Sequence, residues 1–316
     1  MIDHLYELII IGGGPAGLAA GIYASRDGLD CLLFEKGSPG GQLALTGEIA
    51  NYPGCATPIA GYELADRMRE HAGRFGLAIH AESVIALEVD GNAFLVTTDK
   101  RQCRSRTVIV AAGSSYRLLG VPGEERFSGR GVSYCGSCDG PLFRDASLVV
   151  VGGGDTALEE ALFLTRFAAR VRIVHRRDEF RAKRYLQRLA HDHPKIEFTL
   201  GSVVREIRGR ERVTGVVIED VQTGSNHELA CDGVFIFVGS RPNTGFLKGC
   251  CACDEAGYVV TDCNMRASTP GIFAAGDVRA GSVRQVAAAV GDGVTAIIHA
   301  EQFLSAQGSP ILPRRE

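Results

Sequence analysis

Residues 6–17 read YELIIIGGGPAG and residues 147–157 read SLVVVGGGDTA, and these two stretches decide the fold. Each contains a short unbroken apolar run, 8–11 in the first and 148–151 in the second, the pattern of a strand buried on both faces of a parallel sheet. Gly12, Gly14 and Gly17 follow the first run; Gly152, Gly154 and Ala157 follow the second, as G-x-G-x-x-G and its permitted variant ending in alanine. An amphipathic helix is expected next in both copies, over 18–26 and 158–167. One such motif is weak evidence, but strand, glycines and helix in this order twice form a specific signal for dinucleotide binding. The first glycine permits the tight turn, the second lets a pyrophosphate reach backbone N–H groups, and the third lets helix and strand pack closely.

The residue at the end of the next strand separates the copies. Twenty-three residues after Gly12 stands Glu35, followed by Lys36, placed to accept hydrogen bonds from an adenosine ribose. Twenty-three residues after Gly152 stands His175, followed by Arg176 and Arg177, with Arg181 close behind. A carboxylate repels a 2'-phosphate, whereas an arginine pair binds one, so the second site suits NADPH and the first the adenosine end of FAD. Pro15 and Ala16 belong to the first loop, Asp155 and Thr156 to the second. Near the C-terminus, 271–275 read as a short buried strand ending at Gly276 and Asp277, where an aspartate can bind ribityl hydroxyls, and an apolar helix is expected over about 284–304.

The repeat sets the architecture: an α/β chain of two Rossmann-like nucleotide-binding domains. The NADPH domain, 114–244, is inserted into a split FAD domain, 1–113 and 245–316. Alternating segments around 87–98 and 203–219 read as small β-meanders packed on each sheet, and 308–316 as a disordered tail. The length of 316 residues fits two domains at about 150 each. Thirty-four basic and 37 acidic residues without long like-charge runs exclude a general nucleic-acid or anionic-lipid footprint. No apolar stretch approaches the roughly 18 residues of a membrane span, and no signal peptide is seen, so a cytoplasmic protein is expected.

The ten cysteines then read as buried thiols, metal ligands or a redox pair. Cys135 and Cys138, in CGSCDG, can close a small redox-active disulfide, and the adjacent Asp139 can shuttle a proton. Half of a zinc site is the alternative, with Cys250, Cys251 and Cys253 offering further ligands at an unfavourable separation. Cys31, Cys55, Cys103, Cys231 and Cys263 lie in or beside expected strands and read as buried fillers.

Taken in order, the first fingerprint, CGSCDG (135–140), GGGDTALEEA (152–161), HRRDEFRA (175–182), PNT (242–244), GIFAAGD (271–277) and RQVAAAVGDG (284–293) closely resemble the low-molecular-weight thioredoxin reductases, over nearly the whole chain. The resemblance implies a homodimer that binds FAD and NADPH and reduces thioredoxin or a similar small dithiol protein. It makes Cys138 the thiol facing the flavin, Cys135 the one that attacks thioredoxin, and Asp139 the acid/base. It also places Gly40, Gly41, Gln42, Leu43, Asn51 and Gly113 near the flavin, with Arg284, Gln285 and Val286 against its ring or ribityl chain. Two departures stand out: Gly-Ser between the cysteines where the commonest family version has Ala-Thr, and no tyrosine in 279–283, just before Arg284.

The expected chemistry passes electrons from NADPH through FAD to the Cys135–Cys138 disulfide, and from there to the partner protein. The nicotinamide site and the cysteine pair lie in one domain yet need the same flavin on the other, so rotation about the two connections is expected. The same fold with ferredoxin as donor or oxygen as acceptor is one alternative. A nucleotide-binding redox sensor without turnover is another.

Overall fold

The computed structural model describes residues 4–307, and the chain forms two compact units. One comprises Met1–Thr46, Tyr52–Ser115 and Arg241–Glu316; the other comprises Gly47–Asn51 and Tyr116–Ser240. The two connections are short strands, Ser114–Tyr116 and Ser240–Pro242, that pair with each other. The tail read as disordered, 308–316, lies outside the described residues.

In the first unit, parallel strands run in the order Ala78–Ala81, Cys31–Glu35, Leu5–Ile11, Gln102–Val110 and Ile272–Ala274. Gln102–Val110 is long enough to serve two neighbours on one edge. Its residues 102–105 pair antiparallel with Ala93–Thr98, and 108–110 pair parallel with Ile272–Ala274. The hairpin of Val84–Asp90 and Ala93–Thr98 therefore continues the main sheet through this shared strand, where sequence alone suggested a separate packed layer.

The unbroken apolar run of the first strand follows from layers on both sides. Leu8 and Ile10 pack with Leu18, Ala20 and Ala24 of the helix Pro15–Arg26 and with Ile297 and Ala300 of the helix Val286–Ala306. Ile9 and Ile11 point the other way, onto Leu87, Phe94 and Val96 of the hairpin. All four strand residues are buried, and truncating any of them to alanine costs about 2–5 kcal/mol. Proline at the first helical position fixes φ where the N–H would be unpaired in any case, which moves the helix start to Pro15 from the expected 18. The last helix begins at Val286 rather than 284, because Arg284 has φ +54°, a left-handed conformation no helix contains.

The second unit repeats the plan. Its parallel strands run Val132–Ser133, Gly233–Ile236, Ser147–Val151, Arg170–Val174 and Ile196–Thr199. Leu148 and Val150 pack with Leu158 and Leu164 of the helix Asp155–Leu164, whereas Val149 and Val151 meet Val204, Ile207, Val216 and Ile218. Those last residues belong to a separate antiparallel sheet, Ser202–Gly209, Val213–Asp220 and Asn226–Ala230.

Candidate functional site

In the first fingerprint every glycine is explained by what surrounds it. A methyl group built on Gly12, whose φ is +108°, would overlap the Ala111 carbonyl at the end of the neighbouring strand, and one on Gly17 would overlap the Gly12 carbonyl. Gly14, the residue before the helix, faces open space instead. No described side chain caps that helix, so its first-turn N–H groups are available to a pyrophosphate. Glu35 accepts the Gly13 N–H at 2.7 Å through Oε2 and the Gly37 N–H at 3.0 Å through Oε1. Two backbone donors thus fix the carboxylate at the loop and leave lone pairs for ribose hydroxyls; Lys36 beside it is exposed.

Distant segments converge on this loop. The Gly40 N–H donates to the Gly13 carbonyl at 2.7 Å, and Gly41, with φ +56°, lies against Gly14. Leu43 is buried in the short helix Gln42–Leu45, and the Gln42 amide donates to the Ser114 carbonyl. Asn243 donates to the Ala112 carbonyl at 2.8 Å from its side chain and to the Gly113 carbonyl at 3.0 Å from its backbone. A methyl group on Gly276 would press on Ala16, and one on Gly293 would overlap the Ala16 carbonyl, which brings the C-terminal segment to the same place. Burial pushes the Asp277 carboxyl above the usual carboxylate range, against a 2.9 Å hydrogen bond from Ser282, whose hydroxyl also accepts the Arg284 N–H. Gln285 occupies the position before the helix that starts at Val286, without a side-chain cap hydrogen bond. Asn51 is exposed and falls in the segment that groups with the second unit.

Two site features escaped the sequence reading. Asp292, within the final motif, is buried and forms a bidentate ion pair with Arg279 at 2.6 and 3.0 Å while accepting the Gly276 N–H at 3.1 Å. The usable signal was an aspartate in the apolar first half of the helix, which must find a partner to be buried. The second is an aromatic partner for Arg284 from elsewhere in the chain: the Arg284 guanidinium lies over the Tyr258 ring and donates to its hydroxyl at 3.1 Å.

The second fingerprint has the same backbone and a different cover. Gly152 is pressed against the Phe237 carbonyl and Ala157, while Gly154 faces open space. The His175 ring lies over Gly153, stacks on Phe180 at 5.5 Å and is only 6% exposed. Burial pushes its pKa below the ordinary histidine value, and Arg176, Arg181 and Arg177 add to the shift. Its Nε2 is buried with no hydrogen-bond partner among the described residues. The basic segment is held over the loop, since the Arg181 N–H donates to the Gly153 carbonyl at 2.9 Å and the Lys183 N–H donates to Asp155 at 2.7 Å. Thr156, Arg176, Arg177, Arg181 and Lys183 are exposed around it. An orphaned ring nitrogen, several solvent-facing cations and an uncapped helix N-terminus fit a 2'-phosphorylated dinucleotide.

In the same unit Cys135 and Cys138 form a disulfide with Cα atoms 5.4 Å apart. The Ser133 hydroxyl accepts the Cys135 N–H at 3.1 Å, and Cys135 Sγ accepts the Cys138 N–H at 3.2 Å. Burial pushes the Asp139 carboxyl up, opposed by a hydrogen bond with Ser133. The other cysteines divide. Cys103 and Cys231 are buried, and burial pushes the Cys231 thiol up to about 12. Cys31 and Cys55 are half-buried, and Cys263 is exposed, contrary to the expectation of a buried filler, because it sits in a turn organised by the Asp262 carboxylate. Cys250 donates to the Leu87 carbonyl at 2.8 Å, Cys251 is buried with its thiol pushed up to about 12, and Cys253 is exposed. Among the described residues no helix is long and apolar enough to cross a membrane.

Comparison with known proteins agrees with this geometry. The pyridine nucleotide-disulphide oxidoreductase family matches residues 6–293. A thioredoxin reductase of Listeria monocytogenes is 47% identical over 304 residues, covering 96% of this chain and 95% of the relative. One from Peptoclostridium acidaminophilum is 41% identical over 311 residues, covering 96% and 99%. Among solved structures, the thioredoxin reductase of Streptococcus pyogenes is similar with a TM-score of 0.93 at 46% identity, covering 96% of this chain and 99% of that one. The one from Giardia duodenalis is similar at 0.91 and 35% identity, covering 96% and 100%.

Proposed function

The chain belongs to the pyridine nucleotide-disulphide oxidoreductase family, and from that premise we propose that it is an NADPH-dependent flavoprotein reductase of the disulfide in thioredoxin or a thioredoxin-like protein. The observation that carries the reading is a disulfide, Cys135–Cys138, in the same unit as a dinucleotide loop covered by arginines, on a chain whose other unit holds an acidic dinucleotide loop. Gly12–Gly17, Glu35, Gly41–Leu43 and Gly276–Asp277 would hold FAD, and Gly152–Ala157, His175, Arg176, Arg177 and Arg181 would hold NADPH. Bound there, the flavin supplies the two-electron relay between nicotinamide and disulfide.

The chain's own residues do the rest. Opening the disulfide takes up two electrons and one proton and leaves Cys135 and Cys138 as thiol and thiolate. The Cys135 thiolate attacks one sulfur of the partner's disulfide, forming a mixed disulfide and releasing the other partner sulfur as thiolate. Cys138 then attacks the Cys135 sulfur, which restores the internal disulfide and frees the partner as a dithiol. Asp139, with its pKa raised by burial, can hold a proton and hand it to a leaving thiolate. A homodimer in the cytoplasm is the assembly and location that the family resemblance supports.

The test is NADPH-driven reduction of a panel of small dithiol proteins by the wild type and by Cys135→Ser. Transfer by the wild type and none by the variant is expected. Equal transfer by both would remove the cysteine pair from the mechanism.

A further inference from the structure

Glu160 has no part in the chemistry described so far. It lies half-buried in the helix Asp155–Leu164, which packs against the turn Gly136–Asp139 between and after the cysteines. Its carboxylate accepts the Gly136 N–H, and its Oε2 fills the space where a side chain at 136 would begin. Gly136 is not among the glycines with positive φ, so its backbone is one that any residue adopts. What lies closest to a side chain here is the carboxylate end of Glu160, which a methyl group would displace. In the Gly-Ser pair that departs from the family's usual Ala-Thr, glycine leaves the carboxylate where it is, whereas an alanine methyl would push it away.

We propose that Glu160 is a positioning residue of the redox centre: it anchors the inter-cysteine turn through Gly136, and its negative charge restrains ionisation of Cys135 once the disulfide has opened. The inference rests on the disulfide-reductase reading. Gly136 follows Cys135 directly, so covalent geometry keeps a carboxylate hydrogen-bonded to its N–H within about 8 Å of the Cys135 sulfur. Reduction breaks the S–S bond, takes up two electrons from NADPH by way of the flavin, and leaves two sulfurs sharing one or two protons. A carboxylate at that distance favours the state in which Cys135 keeps its proton. Burial raises the pKa of Glu160 itself, and neighbouring Glu159 adds to this. Its own helix also carries Asp155 and Glu159, of which Glu159 acts on it, and the packed turn carries Cys135, Cys138 and Asp139.

The test needs no cofactor or partner protein. In a Cys138→Ser background, the rate of Cys135 alkylation by iodoacetamide is followed across pH and read by peptide mass spectrometry. Glu160→Gln keeps a hydrogen-bond acceptor for Gly136 and removes the charge, and it should lower the midpoint by about one pH unit. Gly136→Ala keeps the charge but displaces it, and should lower the midpoint by less. An unchanged midpoint in Glu160→Gln overturns the proposal, and if that variant fails to fold, an unchanged midpoint in Gly136→Ala does so. NADPH turnover of the wild type is measured alongside. Its absence would sink the reductase reading while the midpoint shift remained legible.

Discussion

The two dinucleotide loops share a backbone and differ in what covers the middle glycine. Over Gly13 lies a carboxylate, Glu35, pinned by two backbone N–H groups; over Gly153 lies an imidazole, His175, with one nitrogen unpartnered among the described residues and Arg176, Arg177 and Arg181 near enough to act on it. Glu35 is the last residue of the strand Cys31–Glu35 and His175 directly follows the strand Arg170–Val174, so equivalent positions carry opposite electrostatics. The lesson is that the strand, glycines and helix make a generic pyrophosphate cradle. On the proposed reading, selectivity between cofactors is set by the side chain laid across it.

The third motif position offers the largest test of that comparison. Gly17→Ala places a methyl group on the Gly12 carbonyl and should destabilise the first unit by about 3 kcal/mol, with loss of bound flavin. Ala157→Gly in the second loop should cost only about 1 kcal/mol. Thermal denaturation and the visible spectrum of the purified variants decide it, and equal losses would mean that the Gly17 contact with the Gly12 carbonyl does not require glycine. Next in size, Glu35→Ala leaves the Gly13 and Gly37 N–H groups without their acceptor and should weaken flavin binding by about 100-fold, measured by flavin release on dilution.

A smaller and more selective effect is expected at the second loop. Arg176→Ala combined with Arg177→Ala should raise the KM for NADPH by about tenfold to a hundredfold and leave that for NADH nearly unchanged. Equal losses for both coenzymes would mean that the arginines do not read the 2'-phosphate. The smallest expected effect concerns His175. Its pKa in the folded chain lies below the unfolded value, so its contribution to stability is present above the ordinary histidine pKa of about 6.5 and is lost as pH falls through the lower folded value. His175→Gln should flatten that part of the stability profile between neutral and mildly acid pH. In the wild type, adenosine 2',5'-bisphosphate should raise the His175 pKa seen by NMR.

Much of this was legible in the sequence because the informative signals are local. Apolar runs such as 148–151 and the glycines that follow them encode strand, turn and helix over a dozen residues, and the spacing to Glu35 and His175 is fixed by one βαβ unit. What was not legible depends on contacts between distant segments. Arg279 needs Asp292, Tyr258 meets Arg284, and Gly136 lies against the Glu160 carboxylate, each pairing made only after sheets and helices have packed. The first hairpin's continuity with the main sheet was hidden for the same reason, since it depends on how far Gln102–Val110 runs past its parallel neighbours. Cys263 shows the opposite failure. Its neighbourhood looked strand-like, but the Asp262 side chain turns the chain and exposes the thiol.

The most direct test of the central claim is anaerobic stopped-flow mixing of the purified, flavin-loaded protein with NADPH or NADH, with the thiols of Cys135 and Cys138 counted afterwards by peptide mass spectrometry. The two-loop account predicts rapid flavin bleaching by NADPH, much slower bleaching by NADH, and the appearance of both thiols. Flavin that stays oxidised with NADPH, or bleaches while the Cys135–Cys138 disulfide stays closed, would contradict it.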